Sequence, residues 1–214
     1  PLYSSAASDV YKRQLWASAK AALADEGIDL EIVQFSDYVT PNNALANGDI
    51  DLNAFQHRIY LQNEIDNYGY AIQNIGNTFI IPLNLYSDKV SSVDELKDGD
   101  TVAIPDDLTN GGRALLLLQD LGILTLKEGV GLEATEQDIV ENPHNVTIKA
   151  MEAANLPASL PDLDFAVING NYASGAGIGD KVLTTEDAES VAAQTYGNVV
   201  AVKEGRENDP AVQA

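Results

Sequence analysis

The run Pro105-Asp106-Asp107-Leu108-Thr109-Asn110-Gly111-Gly112-Arg113 combines residue types that suit the capture of an anion. It follows an apolar stretch that reads as a strand and opens one that reads as a helix. Free N–H groups at a helix start attract negative charge, and glycines there allow close backbone approach. Arg113 stands one turn in, where its planar fork could grip a carboxylate with two bonds. It is one of only four arginines in a strongly acidic chain. On residue types alone a plain helix start fits equally well, with Thr109 as cap and Arg113 paired to a nearby Asp.

A second group is aromatic. Tyr38 lies in a turn, and Phe55, His57 and Tyr60 cluster around the start of one predicted helix. Rings with polar tips suit an apolar ligand side chain, and thioether sulfur packs well on them. Ordinary packing accounts for the same residues when they are taken by themselves. A third group is amide-rich: Asn169 follows a buried strand, and Asn198 follows the Tyr196-Gly197 turn. Amides at strand ends face the crevice where open α/β sheets bind ligands, although Asn is also a common turn residue.

Enzyme signatures are absent. The chain has no G-x-x-x-x-G-K-[ST], G-x-S-x-G, S-x-x-K or H-E-x-x-H. Asp49-Ile50-Asp51-Leu52-Asn53 begins like a calcium loop, but Ala54 stands where the turn needs Gly and Tyr60 where the bidentate Glu belongs. The two histidines, His57 and His144, lack ligand-spaced neighbours, and there is no cysteine. No metal, cofactor or disulfide is therefore expected. An enzyme reading would rest on His57 as acid–base with a carboxylate such as Asp37, and nothing places a nucleophile beside it.

The elements that must position these residues follow from pattern. With 214 residues, 45% hydrophobic and 21% charged, the chain is long enough for one large or two small domains. Its 33 acidic against 12 basic residues give a net charge of −21, a field that repels nucleic acid. The longest apolar run, residues 114–118, is far short of a membrane span. Residues 15–25, 55–67 and 109–121 read as helices stopped by Gly27, Gly69 and Gly122, and a short helix is closed by Gly48. Strands are expected at 28–35, 50–54, 70–75, 78–86, 101–104, 146–151, 165–168 and 198–202, with a capping box at Ser92 opening a short helix. Strands alternating with helices imply an α/β architecture of parallel sheets covered by helices. Residues 78–82 and 196–200 are candidate crossings between two domains. Residues 1–14 show no clear period and read as foreign to the domain.

Four co-linear segments resemble the methionine-binding lipoprotein (NlpA-type) family, the substrate-binding components of methionine ABC importers. They are DYVTPNNALANGDIDLNAFQHRIYL, GDTVAIPDDLTNGGRALLLLQDLGIL, LKEGVGLEATEQDIVENPHNVTIKAMEAANLPASL and FAVINGNYA. The resemblance implies a two-lobed type II periplasmic-binding-protein architecture that closes on one amino acid, with residues 15–78 plus 200–214 in one lobe and 79–199 in the other. It further implies that Tyr38, Phe55, His57 and Tyr60 surround the thioether chain of methionine, in its L or D form. Asn110, Arg113, Asn169 and Asn198 would form the polar clamp, Arg113 pairing with the carboxylate. The implied partners are an ABC permease and ATPase, and the implied location is periplasmic or cell-surface, through a lipid anchor. A binder of another amino acid or methionyl dipeptide, or a surface protein with a non-transport role, fits the same residues. The family has a first strand before Leu15 and continues beyond Ala214, so the first lobe is expected to lack a central strand.

Overall fold

The computed structural model describes residues 2–7, 10–187 and 189–213. The chain divides into two compact units, Pro1–Ile81 with Glu189–Ala214, and Pro82–Ala188. The chain therefore crosses twice. The second crossing falls near residue 188 rather than 199, which moves Asn198 from the second unit to the first.

The first unit opens with β1 (Leu2–Ala7), α1 (Val10–Asp25), β2 (Leu30–Phe35), α2 (Thr40–Asn47), β3 (Leu52–Asn53), α3 (Arg58–Tyr68) and β4 (Ile72–Asn77). The second unit holds β5 (Asn84–Tyr86), β6 (Thr101–Pro105), α4 (Leu108–Asp120), β7 (Thr125–Leu126), β8 (Ile139–Glu141) and β9 (Thr147–Met151). It continues through α5 (Leu156–Ser159), β10 (Phe165–Ile168), α6 (Gly170–Ala176) and β11 (Val182–Thr185). The chain then returns to the first unit as α7 (Val191–Thr195), β12 (Val199–Lys203) and α8 (Pro210–Gln213).

The first sheet runs β2-β1-β3-β12-β4, and the second β11-β5-β10-β6-β9. Neither is purely parallel. β12 is antiparallel to β3 and β4, and β5 is antiparallel to β10 and β11. The inner strands β6 and β10 of the second sheet are buried on both faces, which explains why they are apolar without alternation. In the second sheet Val102, Ile104, Phe165 and Val167 pack on one side with Leu115 and Leu118 of α4. Ala103, Ala166 and Ile168, one residue out of phase, pack on the other with Leu156 and Leu160. In the first sheet Val199 and Ala201 face Leu45, Leu61 and Ile72, while Val202 faces Leu30 and Leu52.

The N-terminal segment departs most from expectation. Residues 1–14 were expected to stand outside the fold, and the first lobe to lack a central strand. Instead β1 occupies that place, in parallel register with β2 from Leu2↔Leu30 to Ala7↔Phe35, and with β3 at Ser4↔Leu52. The sequence Leu-Tyr-Ser-Ser-Ala-Ala carries little β propensity, so pairing on both edges, not local preference, makes it a strand. Helix α1 likewise starts at Val10 instead of residue 15. Pro1, Ser8 and Asp9 lie outside the described residues. The strand expected over 78–86 is confined to Asn84–Tyr86. The Ser92 turn is a single 3-10 turn, Val93–Glu95.

Candidate functional site

In the first unit the aromatic residues come together at the carboxyl ends of the parallel strands. Tyr38 follows β2, and Phe55 and His57 follow β3. Because β12 runs the other way, its start places Asn198 at the same edge, bridged to His57. Open α/β sheets bind ligands at this edge.

Tyr38, Phe55 and Tyr60 form one cluster. Their ring centroids lie 5.9 to 6.3 Å apart in tilted and edge-on contacts. The Tyr60 hydroxyl donates to the Tyr38 carbonyl at 3.3 Å. His57 caps α3, its Nδ1 accepting the Tyr60 N–H at 2.9 Å. That bond leaves Nδ1 without a proton, so the neutral ring carries its hydrogen on Nε2. His57 also meets Tyr196 edge-on at 5.0 Å. Tyr196 is fully buried. In sequence it marks only the Tyr196-Gly197 turn.

Two supports hold this cluster. Asp37 closes the turn carrying Tyr38, accepting from the Val39 and Thr40 N–H groups and the Thr40 hydroxyl at 2.7–2.8 Å. Burial acts to raise the Asp37 carboxyl, but those bonds outweigh it and hold it below its ordinary range. Beneath Phe55 and His57 lies a buried amide triad. Asn42 and Gln56 exchange bonds at 2.9 and 2.7 Å, and Asn53 donates to Asn42 and accepts from Gln56 at 3.0 Å each. Sequence reasoning missed the triad, because Asn42, Asn53 and Gln56 read singly as part of a turn, a strand and a helix, and no spacing links them. Asn42→Ala removes the acceptor shared by the other two amides and is expected to cost about 2 kcal/mol in a denaturant melt. No change would mean that the triad is dispensable.

In the second unit Asn110 and Arg113 stand one turn apart on α4, and Asn169 follows β10. β6, which leads into α4, runs parallel to β10, so all three meet at the carboxyl edge of their sheet. The cap of α4 is Asp107, not Thr109: its Oδ1 accepts the Asn110 N–H at 2.9 Å, and Thr109 donates to it. Burial lifts the Asp107 carboxyl above its ordinary range, although bonds from Asn110 and Thr109 pull it back. The glycines serve packing within the chain. A Cβ on Gly111 would stand 2.9 Å from the Pro105 carbonyl oxygen, and one on Gly112 would fall on the Leu132 carbonyl.

Arg113 is paired, as the plainer reading had it, but with Glu186 and not an Asp. Nε donates to Glu186 Oε1 at 3.0 Å and Nη2 to Oε2. Both side chains are buried, at 4% and 7% exposure. Glu186 also accepts the Leu83 N–H at 3.1 Å. This occupies the Nε edge of the guanidinium and fixes its plane. Asn169 donates to Asn110 Oδ1 at 2.8 Å. Its own Oδ1 is buried and has no hydrogen-bond partner among the described residues.

Two α/β units, each with its polar or aromatic set at the carboxyl edge of its sheet, are the architecture of type II periplasmic binding proteins. The sequence pattern of the NlpA lipoprotein family matches residues 5–214, and the chain belongs to that family. It is 49% identical over 189 residues to the D-methionine-binding lipoprotein MetQ of Salmonella typhimurium, covering 86% of this chain and 68% of that protein. A periplasmic substrate-binding protein of an ABC transporter from Coxiella burnetii superposes with a TM-score of 0.91 at 42% identity, covering 100% of this chain and 89% of the other. A nutrient-binding protein from Burkholderia cenocepacia, solved bound to methionine, gives 0.92 at 36% identity, with 100% and 89% coverage. The family is one of substrate-binding transport proteins.

Proposed function

We propose that this chain binds methionine, in its L or D form, outside the cytoplasm and delivers it to an ABC permease and ATPase. The observation that carries the reading is the polar set on the second unit. A guanidinium fixed in plane and a buried amide oxygen lacking a donor among the described residues complement the carboxylate and ammonium of a free amino acid. Tyr38, Phe55, His57 and Tyr60 supply an aromatic wall suited to a thioether, and Asn198 adds a polar group beside His57. The methionine-bound relative supports the ligand, and the relatives named as lipoproteins support a lipid-anchored location.

A non-enzymatic role fits the same geometry. The two groups that could have formed an acid–base pair are otherwise engaged: His57 Nδ1 accepts from Tyr60, and Asp37 holds the turn before α2. A binder needs neither as a catalyst, since no bond is made or broken.

The test is a thermal melt against a panel of amino acids, including both methionine enantiomers and methionyl dipeptides. Methionine at a hundred times its dissociation constant should add about 2.7 kcal/mol, a rise of several degrees. A rise with another ligand and none with methionine would overturn the substrate while leaving the fold standing.

A further inference from the structure

We propose that Asp107 is a positioning residue that sets the direction of the Asn110 and Asn169 amides, so that Asn169 presents its oxygen to the ligand's α-ammonium group. This deepens the methionine-binding reading and rests on it.

Donors and acceptors alternate along one chain of side chains, from Asp107 through Asn110 to Asn169. The two Asp107 oxygens face donors, the Thr109 hydroxyl and the Asn110 N–H and NH2 groups, so the carboxyl acts here as an acceptor. Both Asp107 oxygens lie 3.0 Å from Asn110 Nδ2, so the NH2 end of Asn110 faces Asp107. The carboxylate is itself held by the Asn110 backbone N–H and the Thr109 hydroxyl, each at 2.9 Å. With its NH2 committed, Asn110 turns Oδ1 the other way, where it accepts from Asn169 Nδ2 at 2.8 Å. Asn169 is then oriented in turn: its NH2 is directed at Asn110 and its oxygen away from it. That oxygen is the buried acceptor without a partner among the described residues, on a side chain only 8% exposed.

A buried acceptor left unpaired is costly, and a donor from a ligand relieves the cost. An α-ammonium group offers three donors and no acceptor, so it matches an amide oxygen and opposes an amide NH2. Reversing Asn110 would reverse Asn169 and present the wrong end. Asp107 is the one member of the relay that cannot reverse, because both its oxygens accept.

The test compares methionine with 4-(methylthio)butanoate, which keeps the thioether and carboxylate and lacks the amino group. Asp107→Asn keeps size and helix capping but supplies a donor that can turn toward Asn110. Titration calorimetry should show that the unsubstituted chain prefers methionine. Asp107→Asn should weaken methionine binding about tenfold and the amino-free analogue by less than about threefold. Asp107→Ser, which keeps the cap and drops the contact with the Asn110 side chain, should also narrow the preference. It carries the same comparison if the first variant does not fold. A preference kept in full, or both ligands weakened alike, overturns the role of Asp107 alone. An unsubstituted chain that binds methionine no better than the analogue overturns both this role and the placement of the ammonium at Asn169.

Discussion

Arg113→Ala is expected to lower stability by about 3–5 kcal/mol, because it leaves the Glu186 carboxylate buried without its cation. For a chain of this length that corresponds to a fall in melting temperature of roughly 6–20 °C. Methionine affinity should fall as well, by about 1.5–3 kcal/mol, the range for a charge-assisted hydrogen bond. The two losses can be separated. A double variant, Arg113→Met with Glu186→Leu, removes both charges and should recover most of the stability, since buried pairs exchange for apolar residues at little net cost. It should not recover affinity. Recovery will fall short by about 1 kcal/mol, because the Leu83 N–H loses its acceptor. A single variant that melts with the original chain would refute the buried pair. One that binds methionine unchanged would refute the carboxylate clamp.

The second large effect is expected in the N-terminal strand. Ser5 lies within β1, opposite Val33 of β2 and Asn53 of β3. Ser5→Pro places a ring and a missing donor inside a strand with neighbours on both edges. The expected cost is on the order of 3 kcal/mol, from a lost ladder bond, an orphaned acceptor and the steric demand of the ring. Circular dichroism during a thermal melt reads this directly. A foreign segment lying outside the fold would give no change, so the outcome decides between the two accounts of residues 1–14.

Local physics accounts for what was legible in advance. The run Phe165–Ile168 is apolar at every position because its strand is covered on both faces, and it was placed at those residues from sequence. Gly48 and Gly69 end their helices with φ of 86° and 67°, a conformation that glycine adopts without penalty. Asn110 and Arg113 could be singled out as part of a helix-start run, Tyr38, Phe55, His57 and Tyr60 as a group of rings, and Asn169 and Asn198 as amides after a strand and a turn, and the family resemblance is what joined them into one expected site. Leu2–Ala7 was not legible, since Ser and Ala announce no strand and only two neighbouring strands make them one. Nor was Glu186, which meets Arg113 across 73 residues of chain.

By itself, then, the sequence determined the α/β alternation, the glycine stops of the helices, the family and the residue types offered to a ligand, because these are carried by residue types and their order along the chain. Only the tertiary structure decided which of those side chains are already committed. It set Arg113 against Glu186, tied Asn42 to Gln56 and Asn53, and turned Asn169 toward Asn110, leaving its own oxygen without a partner among the described residues. Hydrogen-bond partners are allotted among groups that meet in space, so residue order alone cannot assign them.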